Sequence, residues 1–358
     1  MIYNEIRRKT KKLKIGNIYI GGDSPIAIQS MTNTDTCDKE GTLLQILALQ
    51  RAGCDIVRIT VPTLEAAQTI PYLKENGVSI PIVADIHFDY KIALRCAELG
   101  VDKIRINPGN IGSDDKVKAV ADACRERNIP IRVGINSGSL QKDILEKYGA
   151  PTPEALCESA MRHIELLEKY DFTDIVISIK ASNVQDMIRA NKLLAENCLY
   201  NIHLGVTEAG SENIGTLKSA IGIGALICEG IGDTVRVSLT ADPVLEIAAA
   251  KNILSALEVE GQSGMSIVSC PTCGRTKIDL IDLVHRFEAA AERERLLDKP
   301  VKVAIMGCAV NGPGEAREAD IGIAGGVGEA LLFSHGEIIG KVGEDEIIDV
   351  LIDRIKKT

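Results

Sequence analysis

The sequence predicts a parallel (β/α)8 TIM-type barrel followed by a small α+β domain. Three observations carry this expectation. Eight short β-branched runs occur between residues 1 and 260, each gap holds a helix-length segment, and the pattern changes after Gly264, where cysteine, glycine and proline cluster. Apolar strands alternating with helices pair in parallel with both faces covered, and about eight such units in roughly 240 residues fit a closed barrel. An open doubly wound sheet is the alternative. It usually stops at about five or six strands and relies on a glycine-rich phosphate loop. No G-x-G-x-x-G follows a strand here and no G-x-x-x-x-G-K-[ST] occurs; Gly222-Ile-Gly224 is followed by Ile227 where the third glycine belongs.

Taken in order, the expected strands are Ile26–Met31, Asp55–Val61, Pro81–Ile86, Lys103–Pro108, Ile131–Asn136, Asp174–Ala181, Ile202–Glu208 and Thr234–Thr240. Helices are expected between them, among them Lys39–Ala52, Leu64–Asn76, Tyr90–Leu99 and Ser113–Arg127. Gly261–Gly264 reads as a linker, giving a barrel domain 1–260 and a second domain 264–358. The second domain opens with Cys270-Pro-Thr-Cys273. A helix at Asp279–Leu297, a strand at Val301–Ile305, the turn-rich Gly307–Glu315, further short strands and a last helix at Glu344–Lys357 follow.

Composition narrows the function. With 358 residues, 45% hydrophobic and 25% charged, the chain is ordinary globular protein, neither disordered nor collagenous. No apolar run approaches the ~18 residues of a spanning helix. The longest, Ala220–Cys228, is broken by Gly222 and Gly224. The start, MIYNEIRRKTKKLK, has charge but no apolar stretch of the secretory kind, which points to the cytoplasm. Net charge is −9, from 41 Lys and Arg against 50 Asp and Glu, which argues against a general nucleic-acid or anionic-membrane binder. Aromatics at 3%, with no Trp, leave little for base stacking. Ten cysteines without a signal peptide suggest reduced thiols. Seven of them (Cys37, Cys54, Cys96, Cys124, Cys157, Cys198 and Cys228) stand singly and are expected to be small core residues.

Barrel enzymes place their chemistry at the C-terminal ends of the strands. Those ends carry Arg58 and Thr60, Asp85 and His87, Arg105 and Asn107, Arg132 and Asn136, Lys180, Glu208, and Arg236 with Ser238. The two-residue period puts Arg58 with Thr60, Arg105 with Asn107, and Arg132 with Asn136 on common faces. Five cations (Arg58, Arg105, Arg132, Lys180, Arg236) thus face two carboxylates (Asp85, Glu208), a local inversion of sign in an acidic chain. Arginine is the planar bidentate partner of phosphate oxygens, so a small substrate with at least two phosphate charges is expected. A strand arginine paired to a neighbouring carboxylate is the plainer alternative. Lys180 could instead form a Schiff base, as in aldolase-type lyases. Glu208, in Thr207-Glu-Ala-Gly210 directly after strand seven, is the expected general acid or base. Asp85 and His87 read either as a substrate-binding pair or as a satisfied core pair. His163, His285 and His335 read as surface or packing residues.

Cys270 and Cys273 form a C-x2-C on a proline-containing turn, and Cys308 lies in Met306-Gly-Cys-Ala-Val-Asn-Gly-Pro-Gly-Glu315. The first motif suits either zinc or an iron–sulfur cluster. A structural zinc site wants about four ligands, whereas three thiols plus Glu315 as a weaker oxygen ligand suggest a [4Fe–4S] cluster with one exchangeable site. A zinc ribbon and unliganded core thiols stay open as alternatives.

These motifs together resemble the bacterial 4-hydroxy-3-methylbut-2-en-1-yl diphosphate synthase family. The matching segments are Val83-Ala-Asp-Ile-His-Phe-Asp89, Arg105-Ile-Asn-Pro-Gly-Asn110, Val133-Gly-Ile-Asn-Ser-Gly-Ser-Leu140, Ser178-Ile-Lys-Ala-Ser182, His203-Leu-Gly-Val-Thr-Glu-Ala-Gly210, Gly230-Ile-Gly-Asp-Thr-Val-Arg-Val-Ser238, Cys270-Pro-Thr-Cys273 and Asn311-Gly-Pro-Gly-Glu315. Only about thirty residues separate the eighth strand from Cys270, so the extra middle domain of the plant-like form cannot fit. The resemblance implies reductive ring opening of 2-C-methyl-D-erythritol 2,4-cyclodiphosphate. It implies a [4Fe–4S] cluster on Cys270, Cys273, Cys308 and Glu315, and a diphosphate gripped by Arg58, Arg105, Arg132, Asn136 and Lys180. Asp85, His87 and Arg236 are further substrate-binding candidates, and Glu208 would handle protons. Electrons would come from a flavodoxin or ferredoxin, since no nicotinamide or flavin fingerprint is visible. The family's head-to-tail homodimer, with one subunit's cluster over the other's barrel, is the expected assembly.

Overall fold

Eight parallel strands close into a barrel in the first of two contact units, residues 1–260 and 261–358. The structure, a computed structural model, describes residues 2–259, 264–297, 299–309, 314 and 317–357. Of the expected linker Gly261–Gly264, only Gly264 falls among them.

A short antiparallel hairpin, β1 (Leu13–Ile15) and β2 (Ile18–Ile20), precedes the barrel. The barrel strands are β3 (Ala27–Met31), β4 (Ile56–Thr60), β5 (Ile82–Asp85), β6 (Lys103–Ile106), β7 (Ile131–Asn136), β8 (Ile175–Lys180), β9 (Asn201–Leu204) and β10 (Thr234–Val235). They pair in chain order, and β10 closes the ring against β3. Alternation along each strand decides what goes where. One parity of each strand (Val57 and Ile59, Ile104 and Ile106, Val133 and Ile135, Ile177 and Ile179) joins the large core shared with the helices. The other parity turns inward. Near the strand starts it is apolar: Ala27, Ile56, Val83 and Val176 pack with Leu13, Ile15 and Ile20 of the hairpin, which closes that end of the barrel. Higher up the inward parity turns polar.

Three details differ from the sequence expectation. The helix over 64–76 is two pieces, Leu64–Ala67 and Thr69–Glu75. Pro71 cannot donate to a carbonyl four residues earlier and its ring crowds that position, which fits a break just before it. The last two barrel strands are shorter than Ile202–Glu208 and Thr234–Thr240: β9 stops at Leu204 and β10 pairs only through Thr234 and Val235. Gly205 follows β9 directly, and a Cβ there would lie 2.6 Å from the Arg236 carbonyl oxygen and 2.9 Å from Lys180 Nζ, so the close approach of these segments requires a glycine. Finally, Cys37 and Cys228 are exposed and Cys198 half-buried, so these three are not the core residues expected; Cys54, Cys96, Cys124 and Cys157 are. Burial pushes the Cys96 and Cys124 thiols up to about 12.

The second unit holds a five-stranded sheet, β11 (Ser266–Ser269), β12 (Lys302–Met306), β13 (Ile321–Gly325), β14 (Glu329–Ser334) and β15 (Glu337–Gly343), in that spatial order. β11, β12 and β13 are parallel, and β13, β14 and β15 antiparallel. The helix Leu280–Arg293, capped by Asp279 accepting from the Asp282 amide, packs on it through Leu283 and Phe287. The last helix, Ile347–Lys357, adds Leu351 and Ile355, and its expected start at Glu344 is a 3-10 turn. Among the described residues no helix is long and apolar enough to cross a membrane.

Candidate functional site

Barrels of this kind usually fill their interior with branched apolar side chains. This one does not. Gln29, Asp85, Lys103, Arg105, Arg132, Ser178, Lys180 and His203 are all buried polar groups on barrel strands. The strand period produces the arrangement: Lys103 and Arg105 share a parity on β6, as do Arg132, Gly134 and Asn136 on β7, and Ser178 and Lys180 on β8. Adjacent registers set Arg105 beside Arg132, and Asn136 beside Lys180. Gly134 makes room in this ring, because a Cβ there would lie 2.4 Å from Arg105 Nε.

The strand ends open into one small cavity. Arg58, Arg105, Arg132, Asn136, Lys180 and Arg236 line it, together with Gly134, Ser178, Thr207 and Ser238. Its charge is lopsided. Asp85, 1% exposed, is its inner counter-ion: Oδ2 lies 3.2 Å from Arg58 Nη2, and Oδ1 accepts from Arg105 Nη1 at 3.0 Å. Burial pushes the Asp85 carboxyl up, but Arg58 and Arg105, then His87 and Arg132, outweigh it and hold it below its usual range. Burial lowers Arg58 to about 10 despite that pairing. Arg132 donates to Gln29 Oε1 at 3.3 Å, and burial with the neighbouring Arg58 and Arg105 drives it well down. Burial likewise lowers Lys180, with Arg236, Arg58 and Arg132 adding to the effect. At 4 Å two like charges repel by about 4 kcal/mol at an effective dielectric of ~20. The ring therefore stores repulsion that a multiply charged anion relieves.

The layer beneath was not foreseen. Lys103 is fully buried and its Nζ finds no hydrogen-bond partner among the described residues; burial, then Arg132 and Arg58, lowers it well below 10.5. His203 shares a hydrogen bond at 2.8 Å between Nδ1 and Thr234 Oγ1, while its Nε2 has no hydrogen-bond partner among the described residues. The parity that marks Arg105 also marks Lys103, so that signal was present in the sequence. Glu246, a lone acid in the apolar run Pro243-Val-Leu-Glu-Ile-Ala-Ala-Ala250, was missed as well. It is 3% exposed and binds Arg236 Nη2 at 3.2 Å.

The remaining barrel candidates fall into different places. Asp85, read from the sequence either as one of a substrate-binding pair or as one of a satisfied core pair with His87, has both oxygens engaged, by Arg58 and Arg105 rather than by His87. His87 is exposed beyond β5, beside the exposed Phe88 ring. Glu208 is exposed and adjoins the cavity-lining Thr207 without lining it itself. Its φ is +52°, a left-handed conformation uncommon for a glutamate. Residues held in such conformations cluster at functional sites. His163 is a packing residue, buried and within 3.0 Å of Gln141 Nε2, whereas His285 and His335 are exposed.

In the second unit, Cys270 directly follows β11 and Cys308 lies two residues past β12, its parallel neighbour. The Gly307 amide donates to Cys270 Sγ at 3.3 Å, which ties the two turns together. Cys273 is exposed, and the Arg275 backbone amide, helped by the Arg275 and Thr276 side chains, lowers its thiol below the usual value. A lowered thiol is the thiolate-prone kind that ligates metal. Among the described residues no three His, Cys, Asp or Glu side chains surround a single ion. Turn-borne thiols at the ends of two neighbouring parallel strands are of the kind that ligates an iron–sulfur group. Glu315 lies outside the described residues.

Comparison with known proteins places this geometry. Residues 10–251 match the GcpE TIM-barrel domain and residues 266–357 the GcpE protein C-terminal domain. A 4-hydroxy-3-methylbut-2-en-1-yl diphosphate synthase (flavodoxin) of Ruminiclostridium cellulolyticum is 57% identical over 351 residues, 98% of each chain. One from Clostridium perfringens is 58% identical over 98% of this chain and 99% of its own. Among solved structures, a type I 3-dehydroquinate dehydratase from Clostridium difficile aligns with a TM-score of 0.51 at 14% identity, over 70% of this chain and 99% of that one, a likeness of barrel fold alone.

Proposed function

Since the chain belongs to the GcpE family, we propose which of its residues perform each part of that family's reaction. The reaction is the reductive ring opening of 2-C-methyl-D-erythritol 2,4-cyclodiphosphate to 4-hydroxy-3-methylbut-2-en-1-yl diphosphate, a step in making isoprenoid precursors. Two electrons and two protons enter, the carbon–oxygen bond to phosphate opens, and a hydroxyl leaves as water.

The cationic cavity is the observation that carries the assignment. Arg58, Arg105, Arg132, Lys180 and Arg236, with the Asn136 amide, grip the two phosphates. Their strand mounting fixes the ring's phosphate-bearing oxygens before chemistry begins, the rigid placement that catalysis rewards. Asp85 aligns Arg58 and Arg105 without touching the substrate, and His87 adds a hydrogen-bonding group at the rim. As the ring opens, the phosphate oxygen gains negative charge, and the surrounding guanidinium groups stabilise it. Glu208 stands next to the cavity and gives a proton to the departing hydroxyl.

The thiols fit an iron–sulfur group. Cys270, Cys273 and Cys308, with Glu315, would hold a [4Fe–4S] cluster, which when bound passes electrons singly from a reduced flavodoxin or ferredoxin. The working assembly is a head-to-tail homodimer in the cytoplasm, as the family resemblance implies; full turnover by a strict monomer overturns that assembly. The Lys180 Schiff-base reading finds a buried, depressed amine in its favour. Borohydride trapping of a substrate adduct would establish it, and its absence during turnover discards it.

Anaerobically prepared protein tests the assignment. About four irons per chain and oxidation of reduced viologen upon adding the cyclic diphosphate are expected; zinc without turnover contradicts it. Glu208→Gln should lower kcat by about 10²- to 10⁴-fold while the cluster's visible absorption stays unchanged. Retained turnover removes Glu208 from proton transfer.

A further inference from the structure

The eighth barrel strand is the shortest of the ring, yet the segment it leads into presents two of the cavity's groups. β10 pairs only at Thr234 and Val235, while Arg236 and Ser238 beyond it line the cavity. Past Val235 the backbone is tied by Arg236 N to the Leu204 carbonyl at 2.9 Å and by Thr240 N to the Gly210 carbonyl at 3.0 Å. No ladder orients the segment between them.

A carboxylate does so instead. Glu246 stands in the first turn of the helix Pro243–Ala256, where the helix dipole favours an anion. Its Oε2 accepts from Ser30 Oγ at 2.8 Å and from Arg236 Nε at 3.3 Å. Its Oε1 accepts from Arg236 Nη2 at 3.2 Å and from the Leu239 amide at 3.2 Å. Four donors from β3, Arg236 and the segment behind Ser238 thus converge on one buried side chain. The fork on Arg236 is bidentate, which fixes a guanidinium plane as well as its position. The Arg236 Nη1 stays outside this fork, against Met31 Sδ at 3.5 Å.

We propose that Glu246 is a positioning residue for the diphosphate: it sets the plane of Arg236 and so places that guanidinium at the cavity. Only a carboxylate of this length satisfies the site. Glutamine turns an NH2 toward a guanidinium that is itself all donor, and aspartate falls one methylene short. The inference rests on the reading of the cavity as the diphosphate site.

The test is a double-mutant cycle on the full chain, read by pyrophosphate binding in calorimetry and by KM and kcat for the cyclic diphosphate. Arg236→Ala, Glu246→Gln and the double variant are compared. Glu246→Gln should weaken pyrophosphate binding and raise KM by about tenfold with kcat changed less than about threefold, and in the Arg236→Ala background it should add less than about twofold. An undiminished effect in that background, or no effect of Glu246→Gln alone, overturns the role of Glu246 while leaving the cavity assignment intact. Unchanged pyrophosphate affinity in Arg236→Ala removes Arg236 from the phosphate site, and the inference falls with it. Should Glu246→Gln fail to fold, Ser30→Ala removes a single donor; a KM rise of about twofold that vanishes in the Arg236→Ala background supports the proposal, and one that persists there overturns it.

Discussion

The two units carry their reactive groups in opposite ways. The barrel mounts its cations on paired strands, buries most of them, and holds them against their own repulsion; Arg132 is 1% exposed and Lys103 fully buried. The second unit sets its thiols on turns beyond β11 and β12, and Cys270, Cys273 and Cys308 are all partly or fully exposed. The difference teaches how each is completed. A surrounding core over-determines the barrel site before any ligand arrives, so its strain is carried by the fold. The thiol site has few neighbours to fix it and is completed by what it binds.

Disabling one half should leave the other standing. Cys270→Ser or Cys308→Ser should abolish bound iron and lower turnover by more than about 10³-fold. The barrel's affinity for pyrophosphate should stay within about threefold of the intact chain. Iron content and calorimetry on the same preparation decide this, and loss of both together breaks the separation.

The stored repulsion can be exposed by removing its counter-ion. Asp85→Asn leaves Arg58 and Arg105 buried without a carboxylate, which should destabilise the barrel by about 3 kcal/mol. Saturating pyrophosphate should recover part of that loss, because the anion replaces the missing charge. Denaturant melts with and without pyrophosphate read both effects; equal losses under the two conditions show that the cavity does not bind the anion through these arginines.

A smaller effect of opposite sign is expected beneath the cavity. Replacing Lys103, whose amine has no hydrogen-bond partner among the described residues, by methionine should stabilise the unliganded chain by about 1–3 kcal/mol. The folded amine sits well below the ordinary 10.5, so the unfolded chain binds more protons over that range. Stability should therefore climb as pH rises toward 10.5, and Lys103→Met should flatten the climb. An unchanged slope means that Lys103 is charged and neutralised in the fold.

Much of this was legible in the sequence, for reasons that differ by residue. Period two and β-branched runs located all eight barrel strands, because one face of each must feed the helix-covered core. Their position at the C-terminal ends of the strands grouped Arg58, Arg105, Arg132, Lys180 and Arg236, which the structure brings to one cavity. What stayed hidden depends on partners far away in the chain. Glu246 meets Ser30 across 216 residues, and no local pattern announces that. Asp85 stayed open between substrate ligand and core pair because its two arginine partners sit on other strands. The shortness of β10 was invisible because Thr234–Thr240 has strand composition throughout, while the pairing stops at Val235. Exposed Cys37 and Cys228 misled for the same reason: small residue types report tolerance of burial, not burial itself.

The most direct test of a barrel site built in advance is a calorimetric titration of the cyclic diphosphate into the cluster-free Cys270→Ser/Cys273→Ser/Cys308→Ser chain. A preassembled cation ring predicts binding within about tenfold of the cluster-loaded protein, weakening steeply with salt as phosphate contacts do. No detectable binding without the cluster would show that the barrel does not hold the substrate by itself, and would contradict the account.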